Sequence, residues 1–144
     1  MSGVQTEQMA GYLVKRVQQA LRRRSDAALR ATELSMAQYA ALRALADHPD
    51  ASAAELARLC FVTRQSLQDL LTGLRAGGLV EEAPRQAPGR ARALTLTGTG
   101  RRRLAASHAV MVEVESQMLT GLSATARRQL VAALEVCAQN LEGS

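Results

Sequence analysis

The chain has 144 residues, 47% of them hydrophobic and 22% charged, with a formal net charge of +5. That length supports one domain with its own core, and that hydrophobic content excludes a disordered chain. No apolar run approaches the ~18 residues of a membrane helix. Met1 to Ala10 also lacks a basic segment followed by an apolar one, so no signal peptide and no membrane partner are expected, and the protein is expected in the cytoplasm.

The charge is concentrated. Residues 52–103 hold nine Lys/Arg and four Asp/Glu, a net +5 equal to that of the whole chain. A concentration of this kind suits a phosphate-binding surface, although Arg101-Arg102-Arg103 alone would be an ordinary solvated face. The aromatic residues are Tyr12, Tyr39 and Phe61. Single-stranded nucleic acids need aromatic stacking platforms, so duplex DNA is favoured over RNA.

From about Glu7 to Arg30 the chain reads as one long helix, with Leu13, Val17 and Leu21 at every fourth position. Ser35-Met36-Ala37-Gln38 is a capping box, and Leu34 with Tyr39 fits a hydrophobic staple. That helix continues through Leu42 and Leu45 and stops before His48-Pro49.

Ser52-Ala53-Ala54-Glu55 is a second box. Its Ser hydroxyl is expected to accept an orphan backbone N–H, and its Glu to reach back to the cap's own N–H. Leu56, Leu59 and Cys60 follow at helical spacing and predict one buried face. Thr63 predicts the next N-cap. Leu67, Leu70, Leu71 and Leu74 form the apolar stripe of that helix, Arg64, Gln65, Gln68 and Thr72 its other face, and Gly77-Gly78 its end. Two helices joined by a turn of about 3–4 residues make a helix-turn-helix, whose second helix aims its N-terminal side chains at base edges.

Leu79-Val80 starts a strand, and Ala93-Leu94-Thr95-Leu96-Thr97 alternates as a half-buried strand does. Between them, two prolines and a glycine mark a loop carrying Arg85, Arg90 and Arg92. A helix-turn-helix followed by an Arg-bearing hairpin is a winged helix. Another helix runs from about Gly98 to Leu119, with Leu104, Met111, Val112, Val114 and Met118 as its apolar positions. Ser123 caps the last helix, where Leu130, Leu134, Cys137 and Leu141 form a coiled-coil-like seam.

The expected fold is mainly α with a small β-hairpin wing. It is one domain over residues 1–144, with a winged helix-turn-helix at about 34–100 and flanking dimerisation helices at about 7–30 and 101–142. The winged module has a core without the terminal helices. Their apolar faces therefore predict a homodimer interface, with Leu13 and Val17 on the first helix and Leu130, Leu134, Cys137 and Leu141 on the last.

Four segments carry a resemblance. Thr63-Arg64-Gln65-Ser66 opens the second helix of the motif, and Gly78-Leu79-Val80-Glu81 leaves it. Gly89-Arg90-Ala91-Arg92 lies on the wing, and Leu96-Thr97-Gly98-Thr99-Gly100 follows it. In this order and spacing, over nearly the whole chain, the sequence resembles the MarR family of bacterial transcriptional regulators. The resemblance implies a homodimer on a palindromic operator, modulated by a small ligand or by oxidation. The DNA-binding residues it points to are Thr63, Arg64, Gln65, Ser66 and Gln68 on the recognition helix, and Arg85, Arg90 and Arg92 on the wing. Arg suits guanine O6/N7 and Gln suits adenine N6/N7. Arg90 is placed for a minor groove, and Arg85 and Arg92 for phosphates. The resemblance also implies an effector cleft where the dimer helices meet the winged module, with Tyr12, Arg16, Met36 and Tyr39 near it. Arg16 is the charged group there, which suits a small aromatic or lipophilic acid.

Three positions depart from the family pattern. Pro88 stands where an Asp commonly orients the wing Arg. Glu82 stands where a basic residue is common, and a carboxylate near phosphates opposes binding. Phe61 stands where the turn commonly has Gly. Phe disfavours positive φ, so the turn is expected to use another geometry.

Other chemistry finds no footing. His48 and His108 read as surface histidines, with no acidic or Cys partner at metal-ligand spacing. Nothing places a nucleophile beside a base. Gly98-Thr99-Gly100 lacks the lysine and wider spacing of a phosphate loop. No cofactor, metal or enzymatic activity is expected. Cys60 and Cys137 sit on apolar stripes and read as small hydrophobes, not redox sensors. The alternative function is a winged-helix interaction scaffold whose Arg-rich wing faces an acidic protein. Arg64, Gln65 and Gln68 separate the two, because a scaffold has no need of base-reading side chains there.

Overall fold

The structure, a computed structural model, describes residues 3, 5–84 and 93–143. Arg85, Pro88, Arg90 and Arg92, expected on the wing loop, lie outside the described residues. In chain order the elements are α1 (Ala10–Leu29), α2 (Met36–Asp47), α3 (Ala53–Leu59), α4 (Arg64–Ala76), β1 (Val80–Glu82), β2 (Leu94–Leu96), α5 (Gly98–Met118) and α6 (Ala124–Glu142). β1 and β2 pair antiparallel, with Val80 opposite Leu96 and Glu82 opposite Leu94. This is the expected mainly helical fold with a two-stranded wing. No helix among the described residues is long and apolar enough to cross a membrane.

Helix starts follow their caps. At Ser35 the box is complete: its Oγ accepts the Gln38 N–H at 3.1 Å, and the Gln38 side chain accepts the Ser35 N–H at 2.9 Å. Leu34 is buried and Tyr39 packs on the same core, the placement a staple requires. At Ser52 the arrangement differs from the sequence expectation. Its Oγ accepts the Glu55 N–H, but the Glu55 carboxylate takes the Ser52 hydroxyl at 3.1 Å instead of the cap's N–H. Thr63, Thr97 and Ser123 cap α4, α5 and α6 in the same side-chain-to-backbone way. Around α1, where one helix is predicted from about Glu7 to Arg30, single 3-10 turns flank it at Thr6–Gln8 and Arg30–Thr32. Glu33, at φ 62, ends the second of these.

The main core lies between α2, α3, α4, the hairpin and the start of α5. Leu34, Leu42, Leu56, Leu67, Leu74, Val80, Leu96 and Leu104 belong to it. Leu59 does not, contrary to the expected Leu56/Leu59/Cys60 face: it is 44% exposed, and Ala57 is buried in its place. The cause is the turn that follows. The Val62 N–H returns to the Ala57 carbonyl, folding the chain over residues 56 and 57 and leaving Leu59 on the far side of a helix only seven residues long.

That turn also corrects the expectation for Phe61. Phe61 adopts φ +56, in the left-handed region. Its N–H bonds the Arg58 carbonyl while the Val62 N–H bonds that of Ala57. These two bonds make a Schellman motif, in which the left-handed position is normally glycine. The C-terminus of α4 closes the same way, with Gly78 at φ 75, Gly78 N–H to Arg75 and Leu79 N–H to Leu74. An L-residue in this conformation is destabilised by about 1–2 kcal/mol. Phe61 is also 93% exposed, so it recovers little from packing.

The start of α5 is tied to the wing base. The Thr97 hydroxyl donates to the Gly78 carbonyl at 2.6 Å, and the Thr97 N–H to that of Leu79 at 3.0 Å. Gly100 lies so close to the Leu79 carbonyl that any Cβ there would collide with it. In the Gly98-Thr99-Gly100 segment, Gly100 therefore serves close backbone approach.

α1 packs along α5, with Ser25, Leu29 and Ser107 fully buried. α6 stands apart. It has no buried residue, and no extensive packing joins it to the other helices among the described residues. Its corner with α5 is held by Arg127, which donates to the Leu122 and Leu119 carbonyls at 3.1 and 3.3 Å.

Candidate nucleic-acid interface

α4 is divided lengthwise. Leu67 and Leu74 are buried and Leu70 and Leu71 half-buried, while Arg64, Gln65, Ser66 and Gln68 are all exposed. Helical periodicity thus collects the expected reading residues on the solvent side of the first two turns. Their states differ. Thr63 and Ser66 are engaged in the cap: the Thr63 hydroxyl accepts the Ser66 N–H and donates to Ser66 Oγ, both at 3.0 Å. Gln65 donates to the Asp69 carboxylate at 3.2 Å, which orients its amide. The unpaired backbone N–H groups and the dipole of the helix start add positive potential at this end.

The charges around the motif are more paired than the sequence suggests. Glu82, read as a carboxylate opposing phosphates, forms a 2.9 Å ion pair with Arg75. Its charge is offset locally, because α4 and β1 lie side by side. The Arg101-Arg102-Arg103 run is not a simple solvated face either. Arg101 donates to the Leu96 carbonyl at 3.0 Å, Arg102 to the Thr99 hydroxyl at 3.2 Å, and Arg103 pairs with Glu33 at 3.2 Å. These arginines hold the root of α5 against β2 and the end of α1. Consecutive positions in a sequence carry no sign of such partners.

A groove of about 240 Å³ runs between α1 and α5, walled by Val17, Leu21, Val114 and Met118. Arg24 and Gln117 cross it with a 2.9 Å hydrogen bond. Of the residues expected near an effector cleft, none lines this groove. Tyr12 and Arg16 are exposed on α1, on the stripe that continues to Ala20 in the groove wall. Met36 opens α2. Tyr39 reaches α5, its hydroxyl 3.1 Å from His108 Nδ1. Burial pushes the Tyr39 hydroxyl above its ordinary pKa, with Arg43 lowering it and Asp47 and Glu115 raising it. His108, read as a surface histidine, is thus half-buried and bonded. Arg24, Gln117 and His108 are the residues sequence reading missed here, since each depends on a partner far along the chain.

His48 is exposed, as expected, and the described residues contain no group of three metal-ligating side chains. Cys60 is half-buried, and burial pushes its thiol up, away from the reactive thiolate. Cys137 is exposed on α6, so its seam is uncovered in the single chain. Leu13 and Val17 are exposed too, as are Leu134 and, at 82%, Leu141, while Leu130 is half-covered.

Comparison with known proteins agrees with this architecture. A profile of the MarR family matches residues 32–91. The HTH-type transcriptional repressor Rv2887 of Mycobacterium tuberculosis is 33% identical over 133 residues, which are 92% of this chain and 96% of that protein. The crystal structure of Rv2887 with salicylic acid aligns with a TM-score of 0.74 at 32% identity, covering 92% of this chain and 98% of that one. The structure of Rv2887 with DNA aligns at 0.71 and 33% identity, covering 90% and 97%. The chain belongs to the MarR family of winged helix-turn-helix transcriptional regulators, a non-enzymatic family.

Proposed function

We propose that the protein is a homodimeric repressor that reads a palindromic operator in duplex DNA and releases it on binding a small aromatic acid. The observation that carries the DNA reading is the exposed set Arg64, Gln65 and Gln68 on the first two turns of α4. Arginine and glutamine are the side chains that bond two edge atoms of guanine and adenine in the major groove, and a scaffold has no use for them at this tip. Wing residues Arg85, Arg90 and Arg92 supply backbone and minor-groove contacts. Thr63 and Ser66 hold the helix start at the groove. Duplex DNA as ligand puts the protein in the bacterial cytoplasm. The sign of regulation follows the similarity to a repressor.

Dimerisation follows from α6. A 19-residue helix with no buried side chain gains stability by burying its apolar face elsewhere, and Leu130, Leu134, Cys137 and Leu141 with Leu13 and Val17 of α1 supply that face for a second copy.

The effector is drawn to the α1–α5 side. A salicylic acid complex is known for the relative Rv2887, and here an apolar groove carries one guanidinium, that of Arg24. Tyr12 and Arg16 extend its α1 wall, while Tyr39, one turn on from Met36, approaches α5 from α2.

Selection of duplexes from a random-sequence pool by the purified protein tests the reading. A two-fold symmetric motif with half-site centres about 10 base pairs apart is expected. Equal affinity for the enriched duplex and its scrambled version would refute it.

A further inference from the structure

We propose that Phe61 is a specificity-determining residue that covers a thymine methyl at the edge of each operator half-site. The inference rests on the DNA-binding reading above and goes beyond it, to a base contact made from the turn.

Three observations converge on Phe61. It occupies the left-handed position of the α3–α4 Schellman turn, at φ +56, where glycine is unstrained. Its ring is 93% exposed, so no intramolecular packing offsets that strain. It lies two residues before Thr63, the cap of the helix whose N-terminal end enters the major groove. The turn's two backbone hydrogen bonds fix this position, to Arg58 and Ala57. A bulky apolar side chain is thus exposed three residues before Arg64, on a backbone fixed at unfavourable energy, at the end of the motif that the proposed function turns to DNA.

The chemistry narrows what it can contact. Phe has no donor, acceptor or charge, so it has nothing to offer a phosphate oxygen or the polar edge atoms of guanine, cytosine and adenine. The one apolar group on a major-groove base edge is the thymine C5-methyl, which Phe can cover. Phe61 and the part-exposed Leu59 are only two residues, a smaller area than the apolar patches that mark protein-binding surfaces.

Deoxyuridine, which lacks only that methyl, supplies the test. Each thymine of the duplex enriched by the wild-type protein is replaced, symmetrically in both half-sites, and affinity is measured by fluorescence anisotropy. One position is expected to show a loss of about fourfold per half-site, the worth of burying one methyl-sized group, and about 16-fold for the pair. Phe61→Gly suits the backbone at φ +56 and keeps the fold. It is expected to bind the thymine and deoxyuridine duplexes alike, while Phe61→Leu recovers part of the discrimination. Wild type indifferent to deoxyuridine at every position, or Phe61→Gly retaining the full difference, would overturn the proposal. If the wild type enriches an operator but fails this test, only the Phe61 contact falls. If it enriches none, the DNA reading falls with it.

Discussion

Gly78 and Phe61 hold the same left-handed position in two Schellman turns of one domain. The difference in side chain has a thermodynamic consequence. Phe61→Gly should stabilise the fold by about 1 kcal/mol, since the left-handed strain of an L-residue, about 1–2 kcal/mol, exceeds the added unfolded-state freedom of glycine. A higher midpoint in thermal or urea unfolding checks this; a lower one contradicts it. A second consequence concerns alkaline pH. Burial raises the Tyr39 hydroxyl and the Cys60 thiol above their ordinary values of 10.0 and 9.0. The folded state therefore keeps these protons at pH values where the unfolded chain has begun to lose them. Stability is fully present below about pH 9 and declines as pH rises through the folded-state values. Unfolding of Tyr39→Phe/Cys60→Ala should lose that part of the alkaline decline, and an unchanged profile would refute the assignment.

Helices α4 and α6 present opposite problems. α4 has one face committed to the core and the other exposed with polar groups suited to bases. Arg64→Ala and Gln68→Ala should each reduce operator binding by about 1–3 kcal/mol while changing random-duplex binding less. Equal losses on both duplexes would mean these side chains do not read bases. α6 has no committed face. Leu134→Glu should place an unpaired carboxylate in the dimer seam, at a cost of several kcal/mol, and sedimentation should show monomers where the wild type is dimeric. A wild type that sediments as a monomer at micromolar concentration would defeat this prediction. Most of these elements are legible in the sequence, because caps and periodicity act over three or four residues: Ser35, Thr63 and Ser123 start helices where their hydroxyls meet a nearby N–H. Leu59 was not legible. Its exposure depends on how the α3–α4 turn folds over Ala57, and both sides of a short helix satisfy the same spacing rule.

For the molecule as a whole, charge placement governs DNA affinity. Within residues 52–103 Arg75 and Glu82 already cancel in the net +5, whereas Arg103 pairs with Glu33 from outside that span. The Arg103–Glu33 pair reduces what the surface offers to phosphates, and under the proposed function the wing arginines carry a correspondingly larger share. Arg85→Ala/Arg92→Ala should lower the slope of log affinity against log salt by about two, one per phosphate contact. An unchanged slope would show that the wing does not touch DNA.

Local chemistry was enough to specify the helix starts, the apolar stripes and the winged helix-turn-helix order. Each rests on hydrogen bonds and periodicities spanning a few residues, which a linear chain displays directly. Contacts across the fold were decided only by tertiary packing. Tyr39 meets His108, Arg24 meets Gln117, and Arg103 meets Glu33 because α1 and α2 lie against α5. No spacing in the chain encodes those distances. The left-handed Phe61 belongs to the same class: propensity argues against it, but the Ala57 and Arg58 carbonyls at the end of α3 take the turn's two N–H groups only if residue 61 adopts that conformation. Burial obeys the same logic, being a property of neighbours, so the seam on α6 is plain as a pattern while a single chain leaves it exposed.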